Sequence, residues 1–217
     1  MRNWRHRRNT PVHQLGIDMP VGPIAGLLLR DATEIRDIVE PQLPQLEAQT
    51  SPLSPPAETV MSRQAAAEAW TQWWPTTFQQ KRDPQGTIAK LASTSPFWHS
   101  YLIDQDMGQA AFRLADTLNQ TWSRTEHSRL LQVAEVSRTS KTNTWPESRA
   151  TQQALTGCDH PRKHLHKIDI VVLPVAGSCF VGDNALLYVD NDQRDTEAYV
   201  QRLTDFLRQL WGHSNAT

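Results

Sequence analysis

The tightest constraint on the fold is the apolar run Ile168 to Val175, because a turn-rich loop, a second apolar run and an amphipathic segment follow it. Ile168, Ile170, Val171, Val172 and Val175 are β-branched, which suits a strand covered on both faces. Pro174 cannot donate to a sheet ladder, so the strand ends or becomes an edge there. Gly177, Ser178, Gly182, Asp183 and Asn184 are turn formers. Ala185 to Val189 reads as the next strand. The connection is too short for a parallel crossover, which takes about a dozen residues or more. The pattern therefore predicts an antiparallel hairpin.

The segment after the hairpin predicts a helix over 195–211, capped by Asp195. Tyr199, Leu203, Phe206, Leu207, Leu210 and Trp211 fall on one face, with Arg202, Asp205 and Arg208 largely opposite. Gly212 supplies the stop. Burying each apolar side chain contributes about 1.5–3 kcal/mol, most of it offset by conformational entropy. That is enough to dock the helix on the hairpin.

Two further helices are expected. One covers 57–74, where Met61, Ala65, Ala69 and Trp73 share a face flanked by Trp70 and Trp74, and Pro75 ends it. The other covers 106–123, capped by Asp106, with Met107, Ala111, Leu114, Leu118 and Trp122 at helical spacing. Leu130 to Val136 alternates loosely and reads as a third strand. Ile24 to Arg30 reads as a short strand or a turn-rich entry, and Gly22 to Leu46 leaves helix and strand open. The expected fold class is α+β, a small, largely antiparallel sheet from 129–137, 168–175 and 185–190 covered by three or more amphipathic helices. Residues 1–13 form a flexible basic arm. Residues 14–217 form a single domain, with a Pro-rich linker near 41–56 and a long polar loop near 137–166.

Charge excludes little but guides the partner classes. The formal net charge is -1, so no global field points to nucleic acid or to an anionic membrane. No stretch approaches ~18 consecutive apolar residues, so no membrane span is expected. Arg2, Arg5, Arg7 and Arg8 precede the apolar stretch Met19 to Leu29, an order that loosely resembles a signal peptide. Pro20, Gly22, Pro23 and Gly26 break that stretch, and no small-residue cleavage site follows. The expected location is cytoplasmic. The two cysteines, Cys158 and Cys179, do not make a disulfide framework.

Four sets of residues are candidate sites. Cys158, His160, His164 and His166, with Asp159 beside them, offer the thiolate and imidazole donors that zinc takes in a tetrahedral site. The chain lacks the second, separated ligand pair of familiar zinc signatures, and a solvated basic loop is the plainer account. The loop Gly177, Cys179, Gly182 and Asp183 lets backbone approach a ligand, and Cys179 could act as a nucleophile if a base reached it. His164 and His166 stand at the far end of the preceding strand, about 25 Å away at ~3.3 Å per residue, so that base would have to come from His99 or His127. Arg2, Trp4, Arg5, Arg7 and Arg8 suit phosphate contact and base stacking, although a solvated terminus explains them as well. Trp70, Trp73 and Trp74 cover more than one face of their helix, which points to a core combined with a contact to another subunit or a protein partner.

No complete catalytic set is readable. The leading functional expectation is a soluble, non-enzymatic protein acting through protein–protein contact or self-association. The alternative is a zinc-binding protein, or a metal-dependent hydrolase using the Cys158–His166 cluster. A nucleic-acid accessory role through the basic arm ranks below both.

Overall fold

Helix carries most of the described residues. A computed structural model describes residues 14–39, 53, 63–79, 83–140, 145–156, 167–173, 175, 180–181, 186–190, 194 and 196–212. Its helices are α1 Val21–Ala32, α2 Arg63–Trp73, α3 Thr76–Gln79, α4 Pro84–Ala92, α5 Pro96–His99, α6 Met107–Ser140, α7 Pro146–Leu155 and α8 Glu197–Gly212. Its strands are β1 Gln14–Asp18, β2 Lys167–Leu173, β3 Phe180–Val181 and β4 Leu186–Asp190.

This corrects the expected α+β class with its largely antiparallel sheet. The strand expected over 129–137 does not exist, because α6 continues through it to Ser140. Leu130, Val133 and Val136 are three apart, a spacing that keeps them near one side of a helix but throws successive residues to opposite faces of a strand. Helix growth adds a hydrogen bond per residue once nucleated, so a well-started α6 runs on. The sheet is small, in the order β1-β2-β4-β3. Its β1–β2 pair is parallel, with Leu15 opposite Ile168 and Ile17 opposite Ile170. The antiparallel partner of β4 is β3, inside the stretch read as loop, with Phe180 opposite Tyr188. The polar stretch 137–166 also holds α7, whose Pro146 sits where a first-turn proline is tolerated. The helix expected over 195–211 forms as α8.

The contacts divide the chain into two units. An α/β unit comprises the described residues of 1–18, 128–172 and 178–217, and a helical unit comprises those of 19–127 and 173–177.

The helical unit is built around α1, whose sequence leaves helix and strand open. Pro23 lies in its first turn, where the missing N–H is no loss. From Gly22 to Arg30 every residue of α1 is buried. A helix apolar all round needs neighbours on every side. Tryptophans of α2 supply one such wall. Trp70 and Trp74 stack with ring centroids 4.8 Å apart, and Trp74 meets Phe78 edge-on at 5.1 Å. The Trp70 Nε1–H donates to the Gly26 carbonyl at 2.9 Å, and the Trp73 Nε1–H donates to the Thr87 carbonyl at 2.6 Å. Trp98 of α5 donates to the Ala66 carbonyl at 3.2 Å. Arg30 is buried and bound by Asp31, whose Oδ1 accepts from Nε at 2.7 Å.

Gly26 makes the wall possible. A Cβ there would stand 2.9 Å from Trp74 Cζ3 and 3.1 Å from Trp73 Cζ3, too close for carbon atoms. The bare backbone lets the indoles lie on α1. Gly26→Ala is therefore expected to destabilise the protein by about 1–3 kcal/mol, because overpacking outweighs the ~0.5–1 kcal/mol gain in helix propensity. Chemical denaturation followed by tryptophan fluorescence measures it, and an unchanged or raised midpoint would contradict this packing.

Candidate functional site

The three indoles expected to meet a partner lie inside the helical unit, with Trp70, Trp73 and Trp74 at 0%, 4% and 1% exposure. Their spacing of three and four residues directs them to one side of α2, toward α1 and α4, and not to both sides as their number suggested. The zinc candidates Cys158, His160, His164 and His166 lie outside the described residues, as do the loop residues Gly177, Cys179, Gly182 and Asp183 and the arm residues Arg2, Trp4, Arg5, Arg7 and Arg8. Among the described residues, no group of three or more His, Cys, Asp or Glu could hold a metal ion. No helix among the described residues is long and apolar enough to cross a membrane.

Two features among the described residues have the chemistry of a site. The first, in the α/β unit, is a buried polar cluster between α7 and α8. Glu147 Oε1 accepts from Arg194 at 3.1 Å and from the Tyr199 hydroxyl at 3.1 Å. Glu147, Arg194 and Tyr199 are 5%, 1% and 2% exposed, which leaves a substrate no approach. Burial, reinforced by the Glu147 charge, pushes the Tyr199 phenol far above its ordinary value. Thr204 of α8 adds a bond to the Gln153 side chain of α7 at 3.1 Å. The cluster is a polar pin that fixes one helix against the other.

The second feature, in the helical unit, is an open groove of about 230 Å³ between α4, the turn after α5 and the start of α6. Asp83 caps α4 by accepting from the Gly86 N–H at 2.8 Å, and Pro84 opens its first turn. That cap sets the face of α4 that carries Ile88. After α5, residues Ser100–Asp104 form a π-turn, closed by the Gln105 N–H bonding the Ser100 carbonyl at 3.0 Å. The wider turn buries Tyr101 and Leu102 but leaves Ile103 outside at 52% exposure.

Asp106 then starts α6 with φ 56°, a left-handed conformation that strains most side chains and that Asp tolerates better than most. Its carbonyl accepts from the Ala110 N–H at 3.1 Å, while its carboxylate faces Arg113 at 3.6 Å. Gly108 lets α6 enter closely, since a Cβ there would meet Ile88 Cγ2 and the Leu102 carbonyl at 3.0 Å. Ile88, Leu102 and Phe112 make an apolar floor, Ile103 the lip, and Gln85 and Gln109 the polar margins. Among the described residues Asp106 is the one charged member of the lining, and no second acid, base or nucleophile joins it there.

The sequence marks Asp106 only as a cap and gives no sign of Ile88, Ile103 and Phe112 as a set. Their juxtaposition depends on the π-turn, which shifts the helical phase by one residue. The large apolar side chains of the expected 106–123 face are only half-buried. Among the residues of α6 whose side chains are described, those that seat fully are the small ones, Gly108, Ala111 and Ala115. Comparisons of the chain with protein-family models, with curated proteins and with solved structures gave no match.

Two stability measurements check this geometry. Tyr199→Phe should lose about 1.5–3 kcal/mol at neutral pH, the worth of a hydrogen bond to a charged group. Wild-type stability should also fall as pH rises past ~10, where the unfolded phenol ionises and the buried one does not. That alkaline loss should be shallower in Tyr199→Phe, as urea titrations at neutral and alkaline pH would register; parallel profiles would contradict the buried phenol. Asp106→Gly should raise stability in dilute solution by about 1 kcal/mol through relieved backbone strain, and the melting midpoint should rise with it. A lowered midpoint would mean that the carboxylate holds the turn.

Proposed function

We propose that this protein is non-enzymatic and works by protein–protein contact, with self-association as the form of that contact. The observation that carries the reading is Ile103, a large aliphatic side chain held half outside beside an apolar groove. Single exposed apolar residues are ordinary on protein surfaces. Ile103 differs because a π-turn and a left-handed Asp106 build its position and because it borders a concave apolar floor. Local irregularities of that kind concentrate where a structure serves something other than its own stability.

Size weighs against a small-molecule site. Ligand pockets usually measure ~300–1,000 Å³ and enclose most of their ligand. The groove falls below that range and stands open to solvent. Its chemistry weighs against catalysis, since a lone exposed carboxylate paired with an arginine has no partner for general acid–base or nucleophilic work. What suits such a groove is a branched or aromatic side chain presented by another protein surface. The near-zero net charge of -1 sets up no repulsion between copies.

Sedimentation equilibrium of the full chain, from low micromolar to near-millimolar concentration, tests the reading. A weight-average mass that climbs from one chain toward two with concentration is the expected result. A single-chain mass over the whole range would overturn it.

A further inference from the structure

We infer that the groove and the first two turns of α6 form a two-fold interface, in which Ile103 of each copy enters the groove of the other. This rests on the self-association proposed above and names the surface and the pairing. In a two-fold interface one patch must complement itself. The patch here does so twice. It carries both a projecting Ile103 and an apolar recess floored by Ile88 and Phe112, so each copy offers a knob and a hole. It also carries both signs of charge, Asp106 and Arg113, on one stripe of α6.

The helix geometry makes that second match specific. Residues 106, 109, 110 and 113 recur at intervals of three and four and so share a face of α6. Asp106 and Arg113 lie roughly 10 Å apart along the axis at ~1.5 Å per residue. A two-fold axis passing between Gln109 and Ala110, with the helices antiparallel, sets Asp106 of one copy opposite Arg113 of the other, at both ends of the stripe. Ala110 at the axis is small enough for close approach. Within one chain Arg113 and Asp106 stand 3.6 Å apart and their side chains are 67% and 73% exposed, so exchanging the partner gives up very little. The groove is small, and a stable interface buries ~800 Å² per partner, so the contact must extend along α6 and belongs with the weaker, concentration-dependent associations.

The test uses sedimentation equilibrium on the full chain and three variants. Ile103→Asp is expected to weaken self-association about tenfold or more while leaving the melting curve near wild type, because the side chain is half outside. Asp106→Lys alone and Arg113→Glu alone set like charges opposite each other at both contacts, and each should be monomeric where the wild type is dimeric. An equimolar mixture of these two variants should recover the dimer. The introduced lysine of the first would face the introduced glutamate of the second, while the retained Arg113 of the first faces the retained Asp106 of the second. Within each variant chain the like charges persist, so recovery on mixing reports the contact between chains alone. A wild type that dimerises while Ile103→Asp dimerises equally well would remove the groove and keep self-association. Failure of the mixture to recover would remove the Asp106–Arg113 pairing. A monomeric wild type at every concentration would overturn this interface together with the reading it rests on.

Discussion

An indole N–H reaching into the backbone of a buried helix sets the terms for the helical unit. Trp70 donates to the Gly26 carbonyl in the middle of α1, a helix with almost no surface in contact with water. A segment that apolar is stable in solution only if other elements enclose it, and those elements must also be held in place. Tryptophan serves both needs, since its ring covers a large area and its one polar atom seeks an acceptor. Three indoles repeat the device, with carbonyls of α1, α4 and α2 as acceptors. The richness in tryptophan is in this unit a property of its interior.

The α/β unit uses a different means. Its helices α7 and α8 are joined by a carboxylate, a guanidinium and a phenol that are all withdrawn from water. Burying such groups in place of apolar ones of similar volume adds little net stability. What it adds is selectivity, because sliding α8 by one turn would part the Tyr199 hydroxyl from Glu147 and leave a buried carboxylate short of a donor. The exposed Arg149–Glu197 pair spans the same two helices, and each of its members holds the other in its charged form.

How much of this was legible in the sequence depended on whether a local pattern had rivals. The C-terminal helix, α8, was legible because a single period of 3.6 fits its apolar residues. The extension of α6 could have been read, because Leu130, Val133 and Val136 are three apart and fit the helical period better than the period of two that a strand needs. Glycine and proline disguised α1. Both are helix breakers in general, yet Pro23 lies in a first turn and Gly26 faces a ring. The α7 helix was hidden in a stretch judged by its polarity, although Pro146 marked its start. The parallel β1–β2 pair has no local signature, since its strands come from remote parts of the chain. The groove was illegible for a related reason. Its Asp106 could be seen as the start of a helix, but the exposure of Ile103 arises from a π-turn that no residue pattern announces.

The register of that parallel pair has a consequence for biosynthesis. Gln14 lies beside Lys167, a separation of 153 residues (167 − 14). At about 5–20 residues per second a ribosome takes roughly 8–30 s to cover that distance, far longer than helix formation needs. Almost the whole helical unit is encoded in between. It therefore leaves the ribosome and can fold while β1 still has no neighbouring strand. During that interval β1 has bare backbone edges, exposed to whatever other nascent strand is near. The order of synthesis makes the α/β unit the last to close and the more vulnerable of the two to mispairing in the cell.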